Sequence, residues 1–137
     1  MRARSNWGRE AVGKTRNRID RRRAERLGRL AELACRLVLW LKGYRILATR
    51  LRLPVGEIDI IAAKGRVLAV VEVKARASLP QALAALPQTS WRRRHAAISH
   101  FVARRPHLGH HAIRFDLMVV LPRRLPRHIK DVWRLEN

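Results

Sequence analysis

The chain has 137 residues, 47% of them hydrophobic, which suits one packed domain and leaves too little sequence for two independent cores. Lys and Arg total 31 against 10 Asp and Glu, a formal charge of +21, so the chain repels itself unless a polyanion neutralises it. The excess of Arg, whose guanidinium fork matches phosphate oxygens, makes nucleic acid the leading partner and an anionic membrane surface the competitor. The lone Cys35 excludes an intrachain disulfide and reads as a small buried filler; with no apolar run long enough to span a bilayer and no secretory signal at the N-terminus, a soluble, cytoplasmic protein is expected.

Residues 1–22 hold arginines at 2, 4, 9, 16, 18, 21 and 22 without apolar periodicity. They read as a basic, flexible arm or frayed helix, suited to tracking phosphates or serving as a tail with no specific role. The folded domain is expected over 23–137. From Arg23 to Lys42, Ala24, Leu27, Ala31, Ala34, Cys35, Val38, Leu39 and Leu41 recur at steps of three and four, the stripe of an amphipathic helix. Gly43 then suits the left-handed position just past a helix end, and Lys42 complements the helix dipole.

Tyr44 to Leu53 reads as a strand interrupted by Pro54. Glu57–Ala63 and Val67–Lys74, rich in Ile and Val, flank a Gly65-Arg66 pair, the signature of a hairpin with a type II′ turn in which glycine supplies the positive φ. Leu79 to Arg105 is again helical in pattern, with Ser78 as N-cap and a break at Pro87. Ala112–Leu121 reads as a buried strand, and the remaining tail is basic with a short apolar motif. The expected order is helix, three strands, helix, strand.

Counting back from the turn, Lys64 faces Val67 and Asp59 faces Glu72. Opposed side chains on one face of an antiparallel pair have Cβ atoms about 4.5–5.5 Å apart, close enough for two carboxylates to share an ion. Lys74, two residues beyond Glu72, points to the same face. Two facing carboxylates repel and need a neutralising partner, for which Mg²⁺, a hard ion content with one or two carboxylates plus waters and a substrate phosphate, is suited. Mn²⁺ would serve in its place. The alternative is a solvated ion-pair cluster in which Lys74 balances both acids; against it, Ile61 and Val70 share the acidic face and suggest that it is covered. The Arg92, Arg93, Arg94 run fits a phosphate clamp or, equally, a solvated helix end. Asp116 reads as structural, and the histidines lack the spacing of a zinc site.

These blocks, Gly56-Glu57-Ile58-Asp59-Ile60-Ile61-Ala62 and Val71-Glu72-Val73-Lys74-Ala75-Arg76, with Gly28-Arg29-Leu30-Ala31-Glu32, Gly43-Tyr44-Arg45-Ile46-Leu47 and Arg114-Phe115-Asp116, resemble the YraN family of bacterial endonuclease-like proteins. The wider resemblance is to the PD-(D/E)XK nuclease superfamily, near its Holliday-junction resolvases. It implies an α/β fold with a restriction-endonuclease-like core, a mixed sheet with a central β-hairpin flanked by helices. It further implies Asp59 and Glu72 as metal ligands, Glu32 as an additional carboxylate, and Lys74 as a catalytic group. Arg76, Arg92, Arg93 and Arg94 are the candidate nucleic-acid contacts. Where the family carries a basic residue in the helix after Lys74, this chain has Leu86-Pro87-Gln88-Thr89-Ser90-Trp91-Arg92, which leaves that contact unassigned.

Two functions compete: a Mg²⁺-dependent endonuclease for branched or structured DNA, and an adaptor that keeps the fold and binds DNA or RNA without cutting. A basic protein on anionic lipid ranks third, having no use for Asp59 and Glu72. Resolvases of this kind act as dimers, so a homodimer is a further expectation.

Overall fold

The computed structural model describes residues 7–135, and the side chains of 12–135. The first apolar stripe forms helix α1, Trp7–Leu41. Gly43, at φ 91°, ends it as expected. The Gly43 N–H donates to the Trp40 carbonyl at 3.0 Å and the Tyr44 N–H to that of Leu39 at 2.9 Å, the double closure of a Schellman motif. The helix starts well before Arg23, so residues 7–22 of the expected arm are helical; residues 1–6 of it lie outside the described residues. With no proline between Trp7 and Leu41 and an arginine-rich first half, nothing breaks α1 as it runs beyond its packed portion, although Gly8 and Gly13 add little helix preference of their own. Among its described side chains only Ala31, Cys35 and Leu39 are buried, whereas Leu27 and Leu41 of the expected stripe are exposed.

After α1 come strands β1 (Arg45–Leu53), β2 (Gly56–Lys64) and β3 (Val67–Ala75), helices α2 (Leu79–Ala84) and α3 (Gln88–Ala103), a 3-10 turn at Pro106–Leu108, and strands β4 (Ala112–Val120) and β5 (Arg127–Trp133). Pro87 separates the two helices as predicted, and the Ser78 hydroxyl accepts the Gln81 N–H at 3.4 Å. The strands form one mixed sheet in the order β1-β2-β3-β4-β5, antiparallel except for the parallel β3–β4 pair. β5 falls in the tail, where no strand was expected. Pro126 and four charged or histidine side chains in seven residues obscure its alternation, a composition that suits an edge strand.

Helices cover both faces. On the α3 side, Leu68, Val70, Ile61 and Ala63 pack against Trp91, Ala97, Ile98 and Phe101. On the α1 side, Ala69, Val71, Ile60, Ala62 and Met118 pack against Cys35, Leu39 and Tyr44. Ala82 of α2 closes over Leu117 and Val119. Among the described residues no helix is long and apolar enough to cross a membrane.

Candidate active site

The β2–β3 hairpin sets the site. Gly65 adopts φ 57°, and pairing runs without slip from Lys64–Val67 to Ile60–Val71. It stops one step short of Asp59 and Glu72. There the Asp59 carboxylate, through Oδ2, accepts the Val73 N–H at 2.8 Å, replacing a main-chain partner with a side chain.

The same level is irregular on β1. The β1–β2 register pairs Thr49 with Ile60 and Leu51 with Ile58, passing over Arg50 and Asp59. Alternation breaks on both strands at once. Ile60 packs on the α1 side and Ile61 on the α3 side, yet Ile58, which strict alternation would place with Ile60, packs with Ile61; Leu51 packs there too. Arg50 takes a left-handed φ of 51°. With equal breaks on both strands, the sheet continues while Arg50 and Asp59 turn into a groove on the α1 side. The expectation that Asp59 shares a face with Ile61 and Val70 is therefore corrected: the pleat resets at Asp59.

The acids meet nevertheless. Burial first, and then the adjoining Glu72 carboxylate, push the Asp59 carboxyl up to about 7. Glu72, 6% exposed at its side chain, holds two cations: Lys74 Nζ lies 3.0 Å from Oε1, and Arg94 Nη2 lies 2.7 Å from Oε2. Arg94 also donates to the Ser90 hydroxyl at 2.6 Å. It therefore differs from the expected free phosphate clamp, being turned inward as a counter-ion, whereas Arg92 and Arg93 beside it are exposed. Gly56 makes this possible: a Cβ there would stand 2.2 Å from the Arg93 carbonyl oxygen, so glycine lets α3 press onto the start of β2.

The groove, about 620 Å³, is lined by Asp59, Val73, Lys74 and Arg76 on the sheet, Arg50 and Arg52 on β1, and Glu25, Gly28 and Glu32 on α1. Glu32 stands across it, accepting the Arg50 Nε–H at 2.9 Å. Cys35 is buried between α1 and the sheet; burial first, then the charges of Asp59 and Glu32, push its thiol up to about 12. Arg76 is exposed at the rim. Among the described residues no three His, Cys, Asp or Glu side chains gather closely enough to hold a metal ion together. The donor set at Asp59 and Glu72 nevertheless fits a Mg²⁺-like cation: two hard carboxylates in mutual contact, which repel when both are ionised.

Two further acidic or polar residues are structural. Asp116 is fully buried and accepts from Arg114 (2.8 and 2.7 Å), His128 (2.7 Å) and the Asp131 N–H (3.0 Å). Gln88 accepts the Trp133 indole N–H at 2.9 Å, tying α3 to β5. Arg50 and Arg52, which line the groove from β1, were missed by reasoning from sequence. Their alternation with aliphatic residues in Arg50-Leu51-Arg52-Leu53 is the signal that could have placed them together, although alternation alone does not choose a face.

Fold and site together define an α/β protein that joins an acidic pair and a lysine beside a basic groove in a mixed sheet. Residues 31–120, which contain all of the sequence-predicted site residues, match the uncharacterised protein family UPF0102, and the chain belongs to that YraN-like family. It is 49% identical over 111 residues to a UPF0102 protein of Parvibaculum lavamentivorans, covering 81% of this chain and 84% of that one. A UPF0102 protein of Agrobacterium fabrum is 50% identical over 113 residues (82% and 93%), and one of Chelativorans sp. is 45% identical over 116 residues (85% and 94%).

Proposed function

We propose that the protein is a divalent-cation-dependent endonuclease for DNA of the PD-(D/E)XK kind, with Asp59 and Glu72 as the principal cation ligands. One observation carries this reading: Asp59 leaves the pleat to meet buried Glu72, with Lys74 3.0 Å from that acid, and Asp59 and Lys74 open onto a groove rimmed by Arg50, Arg52 and Arg76. A surface ion-pair cluster does not require a strand to break its alternation or a carboxyl to be buried against another.

Asp59 and Glu72 would hold Mg²⁺ or Mn²⁺, with Glu32 as the third carboxylate. Bound there, the cation offsets charge on the phosphate and makes a water more acidic. The chain supplies the remaining parts. Lys74, anchored on Glu72, presents its ammonium group where it can orient an attacking water or donate to a phosphate oxygen. Arg52 and Arg76 neutralise the flanking backbone. Arg92 and Arg93 extend the basic surface along α3. The resemblance to junction resolvases adds branched or structured DNA as the substrate class, and a homodimer as the assembly that would cut it.

A specific observation favours a second reading. Glu72 is already matched by Lys74 and Arg94, and Glu32 by Arg50, so these two carboxylates have counter-ions without a metal. That suits an adaptor that binds DNA or RNA without cutting. Incubation of the full chain with four-way junction, flap and linear duplex in Mg²⁺ or Mn²⁺ separates the two. Cleavage that disappears in Asp59→Asn supports the nuclease. Absence of cleavage, together with binding that is steeply salt-dependent and indifferent to EDTA, supports the adaptor.

A further inference from the structure

Arg50 is held in a conformation that a side-chain-bearing residue keeps only when its surroundings over-determine it. Its φ of 51° lies in the left-handed region, in the middle of a strand. It sits at the level of Asp59, where both strands leave the regular pattern. From there its Nε–H crosses the groove to Glu32 at 2.9 Å, with 43% of the Arg50 side chain exposed against 12% for Glu32. An arginine on a relaxed strand would swing freely into solvent. This one is aimed across the groove by its own backbone.

Glu32, Arg50 and Asp59 line the same groove, so the carboxylate that Arg50 covers stands on the same cavity as Asp59 of the acidic pair. A divalent cation on Asp59 and Glu72 that draws in Glu32 must compete with the guanidinium. Once displaced, the guanidinium stays tethered above the groove, among Arg52, Lys74 and Arg76. A planar fork of donors released from Glu32 into a groove rimmed by other cations fits one ligand class in particular, the two non-bridging oxygens of a phosphodiester.

We propose that Arg50 is a phosphodiester-binding residue whose availability is controlled by Glu32: without a cation it is occupied by that carboxylate, and with a cation it grips the nucleic-acid backbone. The inference rests on the reading of Asp59 and Glu72 as a cation site. It makes cation and DNA binding mutually reinforcing, because each ligand favours the state in which Arg50 and Glu32 are apart.

The test uses the full chain, Ca²⁺ as a cation that occupies the site, and a fluorescent DNA duplex at constant ionic strength. Arg50→Asn is the chosen variant because asparagine tolerates the left-handed backbone. Calorimetric titration with Ca²⁺ alone should show this variant binding at least about threefold more tightly than the wild type, the carboxylate having lost its competitor. Ca²⁺ should strengthen duplex binding by the wild type about tenfold, a typical coupling between linked sites, and by less than about twofold in Arg50→Asn. Glu32→Gln, which frees Arg50 without a cation, should raise duplex affinity in EDTA towards that of the Ca²⁺-loaded wild type. Equal Ca²⁺ gains in the wild type and Arg50→Asn, or no rise in Glu32→Gln, would overturn the inference. If the wild type binds Ca²⁺ and Asp59→Asn does not, such a result removes the role of Arg50 alone; if the wild type binds no cation, the reading of the acidic pair falls with it.

Discussion

Arg94 of α3 and Glu72 of β3 are joined with 2.7 Å between Nη2 and Oε2, and only 11% and 6% of their side chains are exposed. The pair fastens α3 to the strand that carries the acidic pair. Replacing Arg94 with Met leaves Glu72 buried with Lys74 as its remaining cation, and removal of one partner from a buried ion pair typically costs about 3–5 kcal/mol. Lys74 should moderate this to a loss of about 2–3 kcal/mol. Urea denaturation with unchanged m-value checks it, and a loss below about 0.5 kcal/mol would show that the pair behaves as a solvated surface contact.

Asp59 gives a pH dependence with a definite sign. Burial and the Glu72 carboxylate raise its folded pKa from 3.8 to about 7, so the fold favours the protonated form. The stability tied to that proton is complete below about pH 4 and is lost as pH rises through 7. Asparagine resembles the protonated acid and keeps an acceptor for the Val73 N–H. Asp59→Asn should therefore match the wild type near pH 4 and exceed it at pH 8 by on the order of 1–2 kcal/mol in a cation-free buffer. Denaturation curves at the two pH values decide the point; equal or lower stability of the variant at pH 8 would contradict it.

Asp116 behaves in the opposite way. Burial alone would raise its pKa, but hydrogen bonds from His128, Arg114 and the Asp131 N–H overcome that effect and hold the carboxyl at about 2. Its contribution is present above pH 4 and disappears as pH falls towards 2. Asp116→Asn leaves Arg114 and His128 without their anion and should cost about 3 kcal/mol at pH 7, a difference that shrinks in acid. If the variant cleaves or binds DNA normally once corrected for folded fraction, the structural role stands. A folded variant with lost activity would move Asp116 into the site.

Gly56 tests how closely α3 must approach β2. A Cβ at this position would lie 2.2 Å from the Arg93 carbonyl oxygen and 2.7 Å from its carbon, so the helix must shift. Gly56→Ala should destabilise the fold by about 2–3 kcal/mol, as overpacking does, and weaken the Arg94–Glu72 pair. Thermal unfolding of Gly56→Ala, Arg94→Met and the double variant should show losses that fail to add. Strict additivity would mean that the glycine contact and the ion pair are independent.

Most of the site was legible because the hairpin is strongly specified locally. Gly65 fixes the turn, Ile and Val fix the strands, and counting from Lys64–Val67 leads correctly to Ile60–Val71. The step beyond was not legible. A period-two pattern carries Asp59 to the face of Ile61, and no glycine or proline marks the reset; the signal is the left-handed Arg50 on the neighbouring strand, a tertiary match between two non-adjacent segments. The inward turn of Arg94 was hidden for a similar reason: three consecutive arginines look alike until Gly56 sets where α3 lies. β5 was missed because its pairing with β4 overrides a mixed-charge sequence that has little strand character of its own. The start of α1 was misplaced because apolar periodicity reports packing, and the described side chains of this helix from Val12 to Leu30 are exposed.

The acidic pair is the element on which the functional reading depends, and cation binding addresses it before any substrate is chosen. Calorimetric titration of Mn²⁺ into the wild type at pH 7 should show saturable binding, with proton release as the cation displaces the proton that Asp59 favours, and both should vanish in Asp59→Asn. Saturable binding of equal strength in the variant, or no binding to the wild type at millimolar Mn²⁺, would contradict the account.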